Sequence, residues 1–428
     1  MKRTQIRVMA LLLGLSLFLT ACGSAVEEST EAVLSGGVSK VLMNAVLPDS
    51  GGQRENGGAG FSDGLIDPEA ALAFLTGDNR NHVYSPLNIS LALAMLAEIT
   101  EGETRAEVLK LLGVDSIEAL REQTASVLRA AYYDNEDGTS LIANSLWLRN
   151  DYSGYNMETM RRLANDYAAS SFEGDMGSEE YNKMLQGWLD EQTKGLLKEQ
   201  AESIKLDART ILAIATTLYY KVSWIDQMNE DATREQTFHS PDGDVTVPFM
   251  RGGTRGYIRG EHFGATCIPM TDGNNFWLFL PDEGYELKDV AGDETYLRIL
   301  KGDYDDLMEN AQVNFEFPRL DVTEDKDLVE ILHELGITKA FDAGASDFSP
   351  LYEGEGMPTY VSEVRHAARV KADENGVEAA AFTVMIMKAG AMMNDRIVEF
   401  VCDRPFLFAI ANDDGLVWFA GSVNQPGK

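Results

Sequence analysis

Histidine is the side chain best suited to acid–base work near neutral pH. His82, His239, His262, His333 and His366 are scattered along the chain without obvious carboxylate partners in sequence. No Gly-x-Ser-x-Gly elbow, His-Glu-x-x-His pair, Gly-x-Gly-x-x-Gly turn or Walker loop is present. Of three cysteines, Cys22 lies near the start, while Cys267 and Cys402 sit in apolar, strand-like runs and read as buried thiols. A disulfide between the last two has no support in sequence, and no metal-ligand spacing occurs. The chain gives no positive signal for catalysis, metal or cofactor, and reads as a protein that is not an enzyme.

The informative residues lie between Lys371 and Ile410. Val377, Ala379, Ala381, Thr383, Met385 and Met387 occupy one face of a period-2 element, and that face is small or apolar throughout. Such a strand belongs inside a sheet, yet it runs into Lys388-Ala389-Gly390-Ala391-Met392, which reads as an exposed loop tip. A core strand follows over Ile397 to Ile410. A segment able to live both as loop and as strand is a candidate switch.

Glu374-Asn375-Gly376-Val377-Glu378-Ala379-Ala380-Ala381-Phe382-Thr383 resembles the hinge of the reactive-centre loop of serpins, and Phe400 to Ile410 resembles the strand signature that follows it. The likeness extends from about Phe61 to the C-terminus. It includes Val83-Tyr84-Ser85-Pro86-Leu87-Asn88, Trp188 to Gly195, Thr216 to Trp224, Leu335 to Phe341, and Val361 to His366. Four positions depart from the pattern. Thr216 stands where relatives usually have Asn, Met228 where they have Phe, and Val377 where they have Thr. Phe382 is bulky where they keep a small residue.

The resemblance implies an α+β serpin fold: one large domain over residues 61–428, with a big central β-sheet, two smaller sheets, several helices and an exposed reactive-centre loop. It also implies a suicide inhibitor of serine proteases. Serpin loop insertion is a known case of strand addition that releases stored strain. The hinge-to-tip segment would be held outside the sheet and enter it as a new strand after cleavage. Gly376 would permit the turn, and Ala379 and Ala381 would slide between existing strands. Sixteen residues beyond Glu374 the attacked carbonyl falls on Gly390, making Gly390-Ala391 the reactive bond, with Ala389 and Lys388 as rivals. Small residues at the tip imply a shallow target pocket, elastase-like or subtilisin-like; Lys388 would imply a trypsin-like one. Ser85, Pro86 and His366 match the region where the sheet opens, His366 as a buried histidine bonding groups near Ser85. A non-inhibitory serpin used for binding or as a scaffold, and an unrecognised hydrolase, are the other readings.

At the N-terminus, Lys2, Arg3 and Arg7 precede an apolar run from Val8 to Leu19 that is too short for a spanning helix. Leu19-Thr20-Ala21-Cys22 resembles a bacterial lipobox. This implies a signal peptide over residues 1–21, lipid on the Cys22 sulfur, and a place on the extracellular face of the cell membrane, from which the protein could be shed. Residues 22–60, rich in Gly, Ser and Glu, read as a flexible tether, with an apolar stretch at Val38 to Leu47 able to dock on an unidentified surface. The formal charge is −33, and −36 once Lys2, Arg3 and Arg7 are removed, which argues against nucleic acid or an anionic membrane as a direct partner. A monomer that meets basic proteases suits that surface; so does plain solubility.

Coarse patterning adds local expectations. Asp67-Pro68 to Gly77 brackets one helix, and Ser85-Pro86 opens a second towards Thr100. Leu328, Ile331, Leu332 and Leu335 line a third, ended by Gly336. Strands are expected at Ile211 to Tyr220, Phe276 to Leu280, Val313 to Phe317, Ile397 to Ile410 and Leu416 to Ala420.

Overall fold

The computed structural model describes residues 39–51, 57–152, 154–354, 356–377 and 396–427, all within one compact unit that spans 38–428. In chain order its strands begin with β1 (Lys40–Met43), β2 (His82–Tyr84), β3 (Tyr133–Asp134), β4 (Gly138–Arg149), β5 (Ala169–Gly174) and β6 (Leu212–Ser223). β7 (Arg234–Phe238), β8 (Val245–Arg259), β9 (Phe263–Pro269), β10 (Asn275–Pro281), β11 (Glu309–Pro318) and β12 (Leu320–Asp327) follow. The chain closes with β13 (Arg365–Asp373), β14 (Gly376–Val377), β15 (Arg396–Val401), β16 (Phe406–Ala411) and β17 (Val417–Val423).

The helices form where the sequence provides starts for them. Asp67 accepts from the Ala70 N–H ahead of Pro68–Leu75, and Ser85 accepts from Asn88 ahead of Pro86–Glu98, each with Pro in the first turn. Pro86–Glu98 is buried at nearly every position, so it runs through the core rather than over the surface. The third expected helix is only Val329–Glu334, with Leu328 as its cap.

One sheet, of eight strands, has the order β1-β5-β4-β6-β14-β13-β12, with β3 attached to β4. Glu179–Gln192 covers its outer face, where Tyr181 and Leu185 close over Trp147 and Phe172. The second has the order β15-β11-β8-β9-β10-β16-β17-β2, with β7 attached to β8. Two smaller sheets were expected, but the 15-residue β8 belongs to both. Its first part pairs with β7 and β11, and Ile258 and Arg259 at its end pair with β9, which joins the two into one network.

Two further expectations change. Ile397 to Ile410 is not one strand: Cys402–Pro405 separates β15, parallel to β11, from β16, antiparallel to β10. Pro405 has no N–H to donate to a ladder, so pairing stops before it. The tether also ends earlier than residue 60. The apolar stretch near Val38 docks as β1 on the edge strand β5, with Lys40 opposite Glu173 and Met43 opposite Ser171. Val46 N–H then donates to Ala164 O (2.9 Å), so the folded body begins well before Phe61.

Candidate functional site

β13 passes into β14 through a turn at Glu374-Asn375, and the turn is held on every side. Asn375 N–H donates to Asp373 Oδ1 (2.8 Å). Three successive carbonyls accept from one neighbouring segment: Asp373 O from Trp224 Nε1 (2.7 Å), Glu374 O from Met228 N–H (2.9 Å) and Asn375 O from Trp224 N–H (3.1 Å). The Glu374 side chain is 2% exposed. It accepts from Arg319 through Nε (3.0 Å) and Nη2 (2.7 Å) and from the Thr233 hydroxyl (2.5 Å). Burial pushes this carboxyl up, but those donors outweigh it and keep it below the usual carboxylate range.

Gly376 and Val377 then lie between two strands that run parallel to each other. Gly376 is level with Ser223 on β6 and Asp373 on β13; Val377 is level with Val222 and Ala372. A Cβ on Gly376 would stand 2.2 Å from Val222 O, so only glycine fits. Val377 is buried. The expectation that the whole hinge stays outside the sheet is therefore corrected at these two residues. Gly376 lets the backbone approach β6 closely, and the apolar Val377 prefers the sheet interior to water.

Six residues down both flanking strands, Thr216 on β6 and His366 on β13 stand at one level, and both meet the start of Pro86–Glu98. Ser85 N–H donates to His366 Nε2 (3.1 Å). Asn88 Nδ2 donates to Thr216 O (3.3 Å), and Thr216 Oγ1 returns a bond to Asn88 O (3.4 Å). His366 is buried, which pushes its pKa down to about 4, so near neutral pH it is an uncharged acceptor. Ser85, Pro86 and His366 are thus brought together as expected, and one helix start is tied to both strands beside the hinge. Around this level, Ile214, Ala215 and Ala367 line a cavity of about 110 Å³ beneath Glu179–Gln192 and its continuation.

Sequence reasoning missed Arg319 and Thr233. Neither lies near the hinge in the chain, and no local pattern points to them. Trp224 closes a block that carries the family resemblance and Met228 departs from its pattern, and neither had a role assigned from sequence. Glu378, Ala379, Ala380, Ala381, Phe382, Lys388, Ala389, Gly390, Ala391 and Cys22 lie outside the described residues.

His82 and His239 gain carboxylates in the fold. His82 Nδ1 lies 2.8 Å from Glu324 and Nε2 3.1 Å from Asp78; His239 Nδ1 lies 2.9 Å from Asp244. With both ring nitrogens of His82 engaged, that residue is a buried structural link between β2 and β12. Cys267 and Cys402 are free and buried, and burial pushes the Cys267 thiol up to about 12. Among the described residues no cluster of His, Cys, Asp and Glu could hold a metal, and no helix is long and apolar enough to cross a membrane.

Comparison with known proteins gives one consistent result. A family profile described as "Serpin (serine protease inhibitor)" matches residues 72–426. Serpin-ZX of Arabidopsis thaliana is 28% identical over 367 residues, covering 81% of this chain and 93% of its own. Serpin B6 of Macaca fascicularis is 29% identical over 373 residues, covering 83% and 96%. The native state of the thermophilic serpin tengpin matches with a TM-score of 0.77 at 23% identity, over 91% of this chain and 100% of that one. Arabidopsis AtSerpin1 in its native stressed conformation matches at 0.73 and 26% identity, over 86% and 98%. Thyroxine-binding globulin in complex with thyroxine matches at 0.72 and 20%, over 87% and 99%.

Proposed function

The chain belongs to the serpin family, whose general function is protease inhibition rather than catalysis, and on that premise we propose that it traps serine proteases by inserting its cleaved loop into the eight-stranded sheet. A protease serine Oγ attacks the Gly390 carbonyl, the Gly390–Ala391 bond breaks, and the amine of Ala391 leaves with a proton. The acyl-enzyme ester stays on Gly390. The freed arm then continues β14 as a strand between β6 and β13 and carries the enzyme with it before water can hydrolyse the ester.

The observation that carries this reading is the position of Val377. The inserting strand already has its first two residues hydrogen-bonded on both sides, so insertion extends a ladder and needs no new nucleus. The thirteen further residues from Glu378 to Gly390, at roughly 0.5–1.5 kcal/mol per hydrogen bond, give something like 10–20 kcal/mol, offset in part by ordering entropy. That is comparable with the stability of an ordinary domain and enough to distort a docked enzyme.

The small residues Ala389, Gly390 and Ala391 favour elastase-like or subtilisin-like targets, with Lys388 as the trypsin-directed rival. The protein acts as a monomer, held at the extracellular face of a bacterial membrane through lipid on Cys22. A second reading, a binding or scaffold serpin, draws on the likeness to thyroxine-binding globulin, whose structure holds thyroxine. Mixing the mature protein with a panel of serine proteases separates the two. Inhibition gives an SDS-resistant complex and a new N-terminus at Ala391; plain cleavage or no reaction supports the second reading.

A further inference from the structure

The docked segment at the N-terminus fixes where the tether leaves the body. Lys40 pairs with Glu173, Glu173 with Leu148, and Leu148 with Leu212, so β1 begins level with the start of β6. The Lys40 ammonium also pairs with Glu173 (3.1 Å). β1 runs inward from there, its next partners being Phe172 and Ser171. The chain before Lys40 therefore departs at the Leu212 end of the sheet. The hinge is at the other end, where Val377 is level with Val222. Ten residues of strand separate the two, about 33 Å.

Loop insertion ends at the same pole. β14 is antiparallel to β6. Continued residue for residue from Val377 opposite Val222, it brings Gly390 level with Arg209, three positions beyond Leu212. An enzyme esterified to Gly390 would therefore be carried from the hinge end to the end from which the tether departs.

We propose that the tether between Cys22 and β1 is a spacer, long enough to admit a trapped protease between the serpin body and the lipid surface to which Cys22 is attached. This rests on the inhibitory reading above. The 17 residues from Gly23 to Ser39 reach at most about 58 Å when extended. A protease of about 230 residues has a radius of gyration near 17 Å and hence a diameter of about 45 Å. The full tether spans such an enzyme; five residues, reaching roughly 17 Å, do not.

The test uses the lipidated full chain in phosphatidylcholine vesicles, with pancreatic elastase as the probe. It is compared with a variant lacking Ala25 to Gly36, which leaves the docked strand whole, and with a third form carrying a Gly-Ser stretch of the deleted length. Each is also made as Cys22→Ser, free in solution. The expected result is that all three free forms trap elastase alike. On vesicles the full and refilled forms trap it, while the shortened form is cleaved and gives at least several-fold less SDS-resistant complex. Equal trapping by the shortened form on vesicles overturns the spacer, as does failure of the full chain to attach through Cys22. Absence of complex in the free forms instead overturns the inhibitory reading, and the spacer falls with it.

Discussion

Thr216 and His366 occupy the same level of the two strands that flank Val377, and both hydrogen-bond the start of a single helix, through Asn88 and Ser85. β6 and β13 each pair with β14 and not with one another among the described residues, so a change in the spacing between them moves both strands against that helix start, keeping or exchanging these bonds. Sheet opening is thus coupled to a handful of polar contacts in an otherwise apolar core. That makes it sensitive to single substitutions.

His366 makes the coupling pH-dependent. Burial, opposed by the nearby Glu324, lowers its folded-state pKa from 6.5 to about 4. A base with a lowered pKa in the fold contributes stability above its unfolded value, lost as pH falls towards the folded one. The protein should lose up to about 3 kcal/mol between pH 7 and pH 4 through this group. His366→Gln retains an acceptor for Ser85 and should flatten that part of the urea-midpoint curve.

Val377→Arg places an unpaired charge in the sheet interior at a cost of several kcal/mol. Because Val377 is already buried, the variant should melt lower before any protease is added. It should also insert more slowly, so that the acyl-enzyme hydrolyses and the stoichiometry of inhibition rises. Wild-type stoichiometry would mean that insertion does not pass through this position.

Arg319→Ala leaves the Glu374 carboxylate buried with only Thr233 and backbone for company. With Arg319 half exposed, the loss should be about 1–3 kcal/mol, below the usual cost of splitting a fully buried pair. Glu374→Gln, which removes the charge and keeps an acceptor, should cost less. A double-mutant cycle in chemical denaturation measures the coupling.

Target choice follows from the loop tip. Elastase-like and subtilisin-like enzymes should form stable complexes, and trypsin should form few. Gly390→Arg should reverse that order. A covalent trypsin complex cleaved after Lys388 in the unaltered protein, with none for elastase, would move the reactive bond to the rival site.

What the sequence made legible was local or motif-borne. Asp67-Pro68 and Ser85-Pro86 mark their helices because capping is written within a few residues. The hinge from Glu374 is recognisable because insertion restricts a contiguous run to small residues. Contacts between distant segments were not legible. Arg319 meets Glu374 across 55 positions, and Asn88 meets Thr216 across 128; neither pairing leaves a trace in spacing. β1 was visible as an apolar stretch, but its partner β5 was not, since any exposed strand edge satisfies it.

The metastable state itself is tested most directly by calorimetry on intact protein and on protein nicked between Lys388 and Met392. If the arm beyond Val377 enters the sheet after the nick, it completes a central strand and buries Met385 and Met387, worth roughly 10–20 kcal/mol. At about 1–2 °C per kcal/mol for a domain of this size, the associated fragments should melt about 10–40 °C above the intact chain. An ordinary nick in a loop adds chain freedom and leaves melting level or lower. A nicked protein that melts at or below the intact one would contradict insertion and leave a serpin fold without the serpin switch.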